Sequence, residues 1–288
     1  MLRSATALAI FAGAAGAPPR PVILVADVGI DDAAALLWAL GEPSLLVLGI
    51  AASFGCHRDV RVTTRNAEAL LAAANRSDVP VYAGSRFPLG EIAEVDVDGT
   101  AFHGEDGFGG VLPPLADTPV AEMMGRASAA EFIVTTARSR PGEVAVLCFS
   151  PLTNVAIATL LEPRLPLLLG ALVAMGGALH VPGNVSPLAE ANFAHDAAAA
   201  RLVVHAFGAP SATCSFVLAP LDVTTRRSSL LGAAALERIR SSGGSAANLF
   251  ATAHDFYAGA SCGRHGQCEG TAIHDAHTVG WLVYIYKI

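Results

Sequence analysis

The sequence predicts an α/β fold: a single domain with a mainly parallel central sheet flanked by helices. Short apolar runs that do not alternate strictly with polar residues are typical of strands covered on both faces. Segments with helical periodicity separate these runs, and strands that alternate with helices indicate a parallel sheet. The predicted strands are 22–26, 46–51, 144–148, 172–175 with its lead-in and 212–217, and the predicted helices are 31–40, about 60–75, about 120–139, 153–162 and 196–206.

The first strand and helix are joined by a short acidic turn. The strand "VILVA" is followed by Asp27, Gly29 permits the turn, and Asp31 and Asp32 begin the helix. The glycine-rich segment 90–110 is interpreted as a long loop. Loops of this length in compact domains are usually functional or disordered.

The second half of the chain repeats the alternation. "FSPLTN" (149–154) ends a strand and opens a helix, and 165–181 combines a buried helix end with a buried strand. A final helix starts near "AIHDAH" (272–277). Because three glycines and turn-like residues interrupt 165–181, it does not predict stable membrane insertion.

Composition limits the class of protein. Of 288 residues 53% are hydrophobic, which is ample for a large core. The net charge of −7 and the absence of any Lys/Arg-rich run exclude nucleic acid as a partner. We assign the domain to residues 21–288. Residues 1–20 read as a leader or a disordered tail, because an apolar run, small residues and a proline pair follow an arginine there.

The cysteines and residues 1–20 bear on the cellular compartment of the protein. Five scattered cysteines favour a reduced interior over a disulfide framework. "CGRHGQC" (262–268) fits no standard zinc spacing and is interpreted as a flexible loop. We therefore expect a cytoplasmic protein, and a secreted or organellar one if residues 1–20 act as a leader.

Three aspartates fall within six positions of the first turn: Asp27, Asp31 and Asp32. Helix capping accounts for Asp31 or Asp32, but not for Asp27 as well. Three converging carboxylates raise one another's pKa unless a cation neutralises them. Oxygen ligands suit a hard cation, so the spacing predicts a calcium or magnesium site, with capping as the alternative.

Two later stretches supply further polar groups. "GNVSPLAEANF" carries Asn184, Glu190 and Asn192, which suit the binding of hydroxyl groups. "AIHDAH" places His274 beside Asp275. Each stretch also has a structural interpretation. The side chains of such a loop can satisfy the hydrogen bonds of its own backbone, and a His–Asp pair is often structural.

The ordered set of motifs resembles the inosine–uridine-type nucleoside hydrolases. "DVGIDDAAAL" is similar to the family signature DPGxDDxxAL, and the resemblance covers about residues 22–285. It continues, in order, through "TTRNAEAL", "PVYAGSRFPL", "HGEDGFGG", "SPLTNVAIATLLEP", "MGGALHVPGNVSPLAEANF" and "IHDAHTV".

The resemblance implies a ribonucleoside as the small-molecule substrate and a calcium ion that activates a water molecule. It implies calcium ligands at Asp27, Asp32 and Asp275 and at the backbone carbonyl of Phe149. Asp27 would also accept a proton from the water, and His274 would assist departure of the base. The residues implied to bind the sugar are Asp31, Asn184, Glu190 and Asn192.

The sequence departs from the family pattern at several points. Val28 replaces the signature proline, and Cys56 or His57 replaces an asparagine that contacts the ribose. Relatives continue beyond the position of Ile288, which implies a shortened fold or an incomplete product. The family tends to form dimers or tetramers, so a homo-oligomer is expected.

Two rival interpretations are open, and the departures support the first of them. A catalytically impaired nucleoside-binding protein on the same scaffold is one. A phosphotransferase is the other, but it would need an aspartate where Val25 stands.

Overall fold

A computed structural model describes residues 18–90, 99–113, 128–266 and 268–285. Its centre is a six-stranded parallel sheet in the order β3-β2-β1-β4-β5-β6. This confirms the predicted α/β architecture with a parallel sheet. The strands are Arg20–Ala26 (β1), Leu45–Ala52 (β2), Val81–Tyr82 (β3), Ala145–Cys148 (β4), Ala171–Met175 (β5) and Ser215–Ala219 (β6).

Helices cover both faces of the sheet. In the first half of the chain they are Ile30–Gly41 (α1), Val60–Ala73 (α2), Thr100–His103 (α3), Ala129–Ser139 (α4), Thr153–Leu161 (α5) and Leu165–Leu168 (α6). In the second half they are Ala191–His195 (α7), Ala197–Phe207 (α8), Leu221–Thr224 (α9), Ala233–Ser241 (α10), Ser245–His265 (α11) and Ala276–Gly280 (α12), with a 3₁₀ turn at Arg227–Ser229 and a π-helical turn at Trp281–Ile285.

Strand β1 shows why the sequence does not alternate. Val22 and Leu24 contribute to the core beneath α1 and α11, whereas Ile23 and Val25 contribute to the core beneath α4, α5 and α8. All four side chains are fully buried. Successive side chains of a strand point to opposite faces, so a strand with helices on both sides must be apolar throughout.

The predicted elements agree with the structure within a few residues where both exist. The last predicted strand, 212–217, begins at Ser215 and extends to Ala219, and the predicted helix 196–206 is preceded by the separate short helix α7. For the predicted helix 120–139, the part from residue 129 is confirmed and 120–127 lie outside the described residues. Most of the 1–20 segment and 91–98 also lie outside them.

Several elements were absent from the prediction: strand β3, helices α3, α9, α10 and α11, and a small antiparallel pair, Leu230–Leu231 (β7) with Thr271–Ala272 (β8). The strands are only two residues long and give no periodic signal. Helix α11 has 21 residues but is rich in alanine and glycine, so its sequence lacks a distinct apolar face.

The expectation of reduced cysteines and a flexible 262–268 loop is wrong, because Cys262 and Cys268 form a disulfide. Gly266 ends α11 in the left-handed region, with a φ of 65°. This reversal brings the two Cα atoms to 4.6 Å. Cys56, Cys148 and Cys214 are not disulfide-bonded.

The described residues include no helix that is long and apolar enough to cross a membrane. A cavity of about 690 Å³ lies between β6, α1 and the helical turns at 276–285. Its walls are almost entirely apolar and include Trp38, Trp281 and Tyr284. No carboxylate is among the described residues that line it.

Candidate active site

The candidate site is a cavity of about 350 Å³ that lies at the carboxyl ends of the central strands, where parallel α/β sheets bind their ligands. All nine residues singled out from the sequence line it: Asp27, Asp31, Asp32, Phe149, Asn184, Glu190, Asn192, His274 and Asp275.

The first turn supplies three carboxylates. Asp32 accepts hydrogen bonds from the backbone N–H groups of Asp27 (3.1 Å) and Gly29 (2.9 Å), so it caps helix α1 from within the first turn. The capping alternative is therefore confirmed for Asp32. Asp27 instead accepts a 2.6 Å hydrogen bond from the backbone N–H of Cys56, on the loop after β2.

Asp275 completes the acidic cluster from the far end of the chain. Asp31, Asp32 and Asp275 offer oxygen atoms that lie within 4.8 Å of one another. At 6% exposure or less, Asp27 and these three side chains are buried. No lysine or arginine is among the described residues that line the cavity.

Burial dominates the electrostatics of the cluster. It raises the pKa of Asp27 and of Asp31 to about 7, with a smaller contribution from the neighbouring carboxylates. Burial also raises the pKa of Asp32 and of Asp275 well above the ordinary value. Buried carboxylates with raised pKa values retain protons more readily than exposed ones do. A cation would replace such protons.

The predicted sugar-binding residues are held rigidly. Glu190 caps α7 by accepting from the N–H groups of Asn192 (2.9 Å) and Phe193 (3.1 Å), and it also accepts from Gly177 (2.9 Å). Asn192 donates to the carbonyl of Met175 at the end of β5 (3.2 Å). Asn184 accepts from the N–H of Ala191 (2.9 Å). The structural alternative is thus confirmed, because these groups organise the loop that borders the cavity.

His274 and Asp275 lie between β8 and α12. Nδ1 of His274 lies 2.7 Å from the hydroxyl oxygen of Thr224, which fixes the orientation of the imidazole ring. Asp275 stands at the N-terminus of α12, where its carbonyl accepts from the hydroxyl of Thr278 (2.7 Å).

His103 and Tyr257 also line the cavity, although sequence reasoning gave them no role. Nδ1 of His103 accepts from the backbone N–H of Ile30 (3.1 Å), and the two rings stack with centroids 5.3 Å apart. Burial lowers the pKa of His103 to about 3, so its imidazole is neutral. Since Nδ1 accepts, the proton is on Nε2, which makes that atom a hydrogen-bond donor and not a metal ligand. The motif "HGEDGFGG" was the available signal for His103.

The signature turn is secured without its usual proline. Val28 is fully buried, and its carbonyl accepts a 3.0 Å hydrogen bond from the side chain of Asn66 on α2. Asn66 also donates to the carbonyl of Asp106 (3.1 Å), so it links the first turn to the loop that carries His103.

Comparisons with known proteins agree with this geometry. The family model described as inosine-uridine preferring nucleoside hydrolase matches residues 22–286. Probable uridine nucleosidase 2 of Arabidopsis thaliana is 31% identical over 90% of this chain and 76% of its own length. The pyrimidine-specific ribonucleoside hydrolase RihA of Salmonella enteritidis is 34% identical over 91% of this chain and 79% of its own. The solved plant nucleoside hydrolase PpNRh1 superposes with a TM-score of 0.81 at 31% identity, covering 92% of this chain and 79% of the other.

The class is therefore that of hydrolases acting on N-glycosyl bonds. Within it, the chain belongs to the inosine-uridine preferring nucleoside hydrolase family. The family is metal-dependent, and the acidic cluster is a possible metal site.

Proposed function

We propose that the protein hydrolyses the N-glycosidic bond of ribonucleosides to ribose and free base in a calcium-dependent reaction, with uridine the first substrate to test and inosine the second. The observation that carries the proposal is the convergence of four buried carboxylates with Asn184, Glu190, Asn192 and His274 on one cavity. The segment "AEANF" and the relatives named uridine nucleosidase and pyrimidine-specific hydrolase favour uridine.

The donor set fits a hard cation. Asp27, Asp32 and Asp275 would hold it through carboxylates and Phe149 through its backbone carbonyl. Calcium accepts about 6–8 oxygen ligands, so four from the protein leave places for water and two sugar hydroxyls. When bound, the cation would supply positive charge that acidifies a water molecule and orients it beside the sugar.

The protein's own residues would divide the remaining work. Asp27 would accept the proton of the attacking water as the general base. Asp31, Asn184, Glu190 and Asn192 would bind the ribose hydroxyls and the 5′ end. His274, held by Thr224, would donate a proton to the departing base. Such a division suits an oxocarbenium-like transition state, which needs water on one face and help for the leaving group on the other.

The direct test is an assay of free ribose from purified protein incubated with uridine, inosine or cytidine. The same preparation would be assayed after chelation and after return of calcium or magnesium. Calcium-dependent ribose release supports the proposal. Full activity after exhaustive chelation would disprove the metal dependence, and no release from any ribonucleoside under any metal would disprove the hydrolase activity.

Cys56 supports one alternative function, that of a nucleoside-binding protein with impaired catalysis. Its thiol lies in the cavity, in the region where the resemblance implies an asparagine. This alternative predicts that uridine raises the melting temperature without being cleaved, and that Cys56→Asn restores cleavage.

A homodimer or homotetramer is a proposal based on the family, and a cytoplasmic location is one based on the scattered cysteines. The Cys262–Cys268 disulfide favours the other location considered, secreted or organellar, because disulfides persist in oxidising compartments. Light scattering and labelling of the expressed full chain would test both.

A further inference from the structure

The thiol of Cys56 lies within the acidic cluster. Its sulfur is 3.5 Å from Oδ2 of Asp32. The ligand atoms of Asp27, Asp32 and Cys56 lie within 4.8 Å of one another. Two of these are carboxylates to which the family resemblance assigns the metal, whereas the thiol is a ligand of a different chemical kind.

The position of this sulfur is fixed by its surroundings. The backbone N–H of Cys56 is bonded to Asp27, and Nε2 of His103 lies 3.4 Å from the sulfur on another side. A Cβ atom on Gly29 would come within 2.5 Å of the sulfur, so the glycine leaves the space that the thiol fills. The thiol is therefore held in a fixed position beside the proposed metal ligands Asp27 and Asp32.

We propose that Cys56 makes the metal site of this chain receptive to thiophilic divalent cations, of which zinc is the physiological example, in competition with calcium. Zinc accepts sulfur at about 2.3 Å and carboxylate oxygen at about 2.0–2.2 Å in tetrahedral geometry, which separates the two donor atoms by roughly 3.6 Å. The observed separation between the Cys56 sulfur and Asp32 is 3.5 Å. Calcium, by contrast, takes oxygen ligands.

Binding of the cation exchanges protons for the metal and needs no change of oxidation state. The incoming cation displaces the thiol proton and the protons held by the carboxylates to solvent, and a metal–thiolate bond forms. The inference rests on the metal site of the proposed function. It adds that zinc, by occupying Asp27 and Asp32, excludes calcium and so inhibits hydrolysis.

Cadmium is the probe, because its bond to a thiolate produces a near-ultraviolet charge-transfer band. Chelator-treated full-length protein would be titrated with cadmium and, in parallel, with cadmium in excess calcium. We expect one equivalent of thiolate-bound cadmium per chain and a titration that calcium shifts to higher cadmium concentration. Cys56→Ser should abolish the band and lower zinc affinity by about 10-fold or more, since removal of a ligand should cost at least as much as removal of an outer partner.

Cys214→Ser is the matched control, because Cys214 is a second cysteine outside the disulfide, and it does not line the cavity. It should keep the band. Calcium-induced thermal stabilisation of Cys56→Ser would show that this variant is folded. An undiminished band in Cys56→Ser, or a band that excess calcium leaves unchanged, overturns the inference. Calcium-dependent hydrolysis without a cadmium band refutes only this inference, whereas a Cys56-dependent band without hydrolysis of any nucleoside refutes only the proposed activity.

Discussion

The backbone N–H of Cys56 donates a 2.6 Å hydrogen bond to Oδ2 of Asp27, and this contact joins the loops that follow β1 and β2. A charge-assisted bond of this kind fixes one carboxylate oxygen and leaves the other to bind a ligand. The position of the Asp27 carboxylate, the proposed base, therefore depends on the loop after β2 as well as on its own strand.

Asp27→Ala should abolish both activity and stabilisation by calcium. A ligand at about 100 times its dissociation constant stabilises the native state by about 2.7 kcal/mol. For a chain of this size, that corresponds to a rise in melting temperature on the order of 5–10 °C. Melting curves with and without calcium would show this rise in the parent protein and none in the variant. A fully active variant that needs no metal would end the calcium hypothesis.

Gly55→Ala should lower kcat/KM by about 100-fold or more. Gly55 has a φ of 149°, and a Cβ atom there would come within 1.9 Å of Oδ2 of Asp27. The carboxylate must then move, and a displacement of about 1 Å in a catalytic group can cost 10²-fold in rate. Gly41→Ala is the control, since no atom lies within 4 Å of its Cβ position. Similar kinetics for the two variants would show that the position of Asp27 is not critical.

His274→Ala should lose about 10²–10⁴-fold activity on uridine or inosine, the usual contribution of a general acid. It should retain most of its activity on p-nitrophenyl riboside, whose leaving group is stable as an anion. Both rates would be measured at saturating calcium. If His274 only supports the loop of Asp275, both substrates should suffer equally and calcium should bind more weakly.

Thr224→Val tests how His274 is oriented. It removes the hydroxyl that lies 2.7 Å from Nδ1 while keeping the size of the side chain. We expect a smaller loss than in His274→Ala, again confined to the natural nucleosides. A loss that is equal on p-nitrophenyl riboside would assign Thr224 to loop stability.

The benefit of calcium should grow with pH. Burial raises the pKa of Asp27 and Asp31 from 3.8 to about 7, so the metal-free native protein holds protons that the unfolded chain releases at lower pH. The stability that these raised pKa values give the metal-free native state is fully present below pH 3.8. It is lost as the pH rises through 7. Calcium must displace these protons at pH 5 but meets fewer at pH 7.5. Thermal melts at both values should show the larger calcium effect at pH 7.5, and an equal effect would contradict the assigned pKa shifts.

The residues of the candidate site were accessible to sequence reasoning because they follow strands. The run before Asp27 and the run before Phe149 are apolar throughout, so both predict buried parallel strands whose ends meet at one edge. The order of the motifs then placed Glu190 and Asp275 at the same edge, and the cavity contains all of them.

Contacts between distant segments were not accessible. Tyr257 lies on a helix that lacks an apolar face, and its place in the cavity depends on stacking against His103. Cys56 was recognised only as a replacement for an asparagine, because its hydrogen bonds to Asp27 and Asp32 depend on how two loops fold together. The disulfide depends on the reversal at Gly266, a conformation that local sequence does not specify.

The acidic site draws its carboxylates from segments far apart in the chain, with Asp27 just after β1 and Asp275 just before α12. During synthesis on the ribosome, the nascent chain therefore carries three aspartates at the end of β1 long before the fourth has been made. Until that residue emerges, the cation site is incomplete, and the buried repulsion among the first three carboxylates opposes early closure of the turn. Acquisition of the metal is thus expected only after synthesis has passed Asp275.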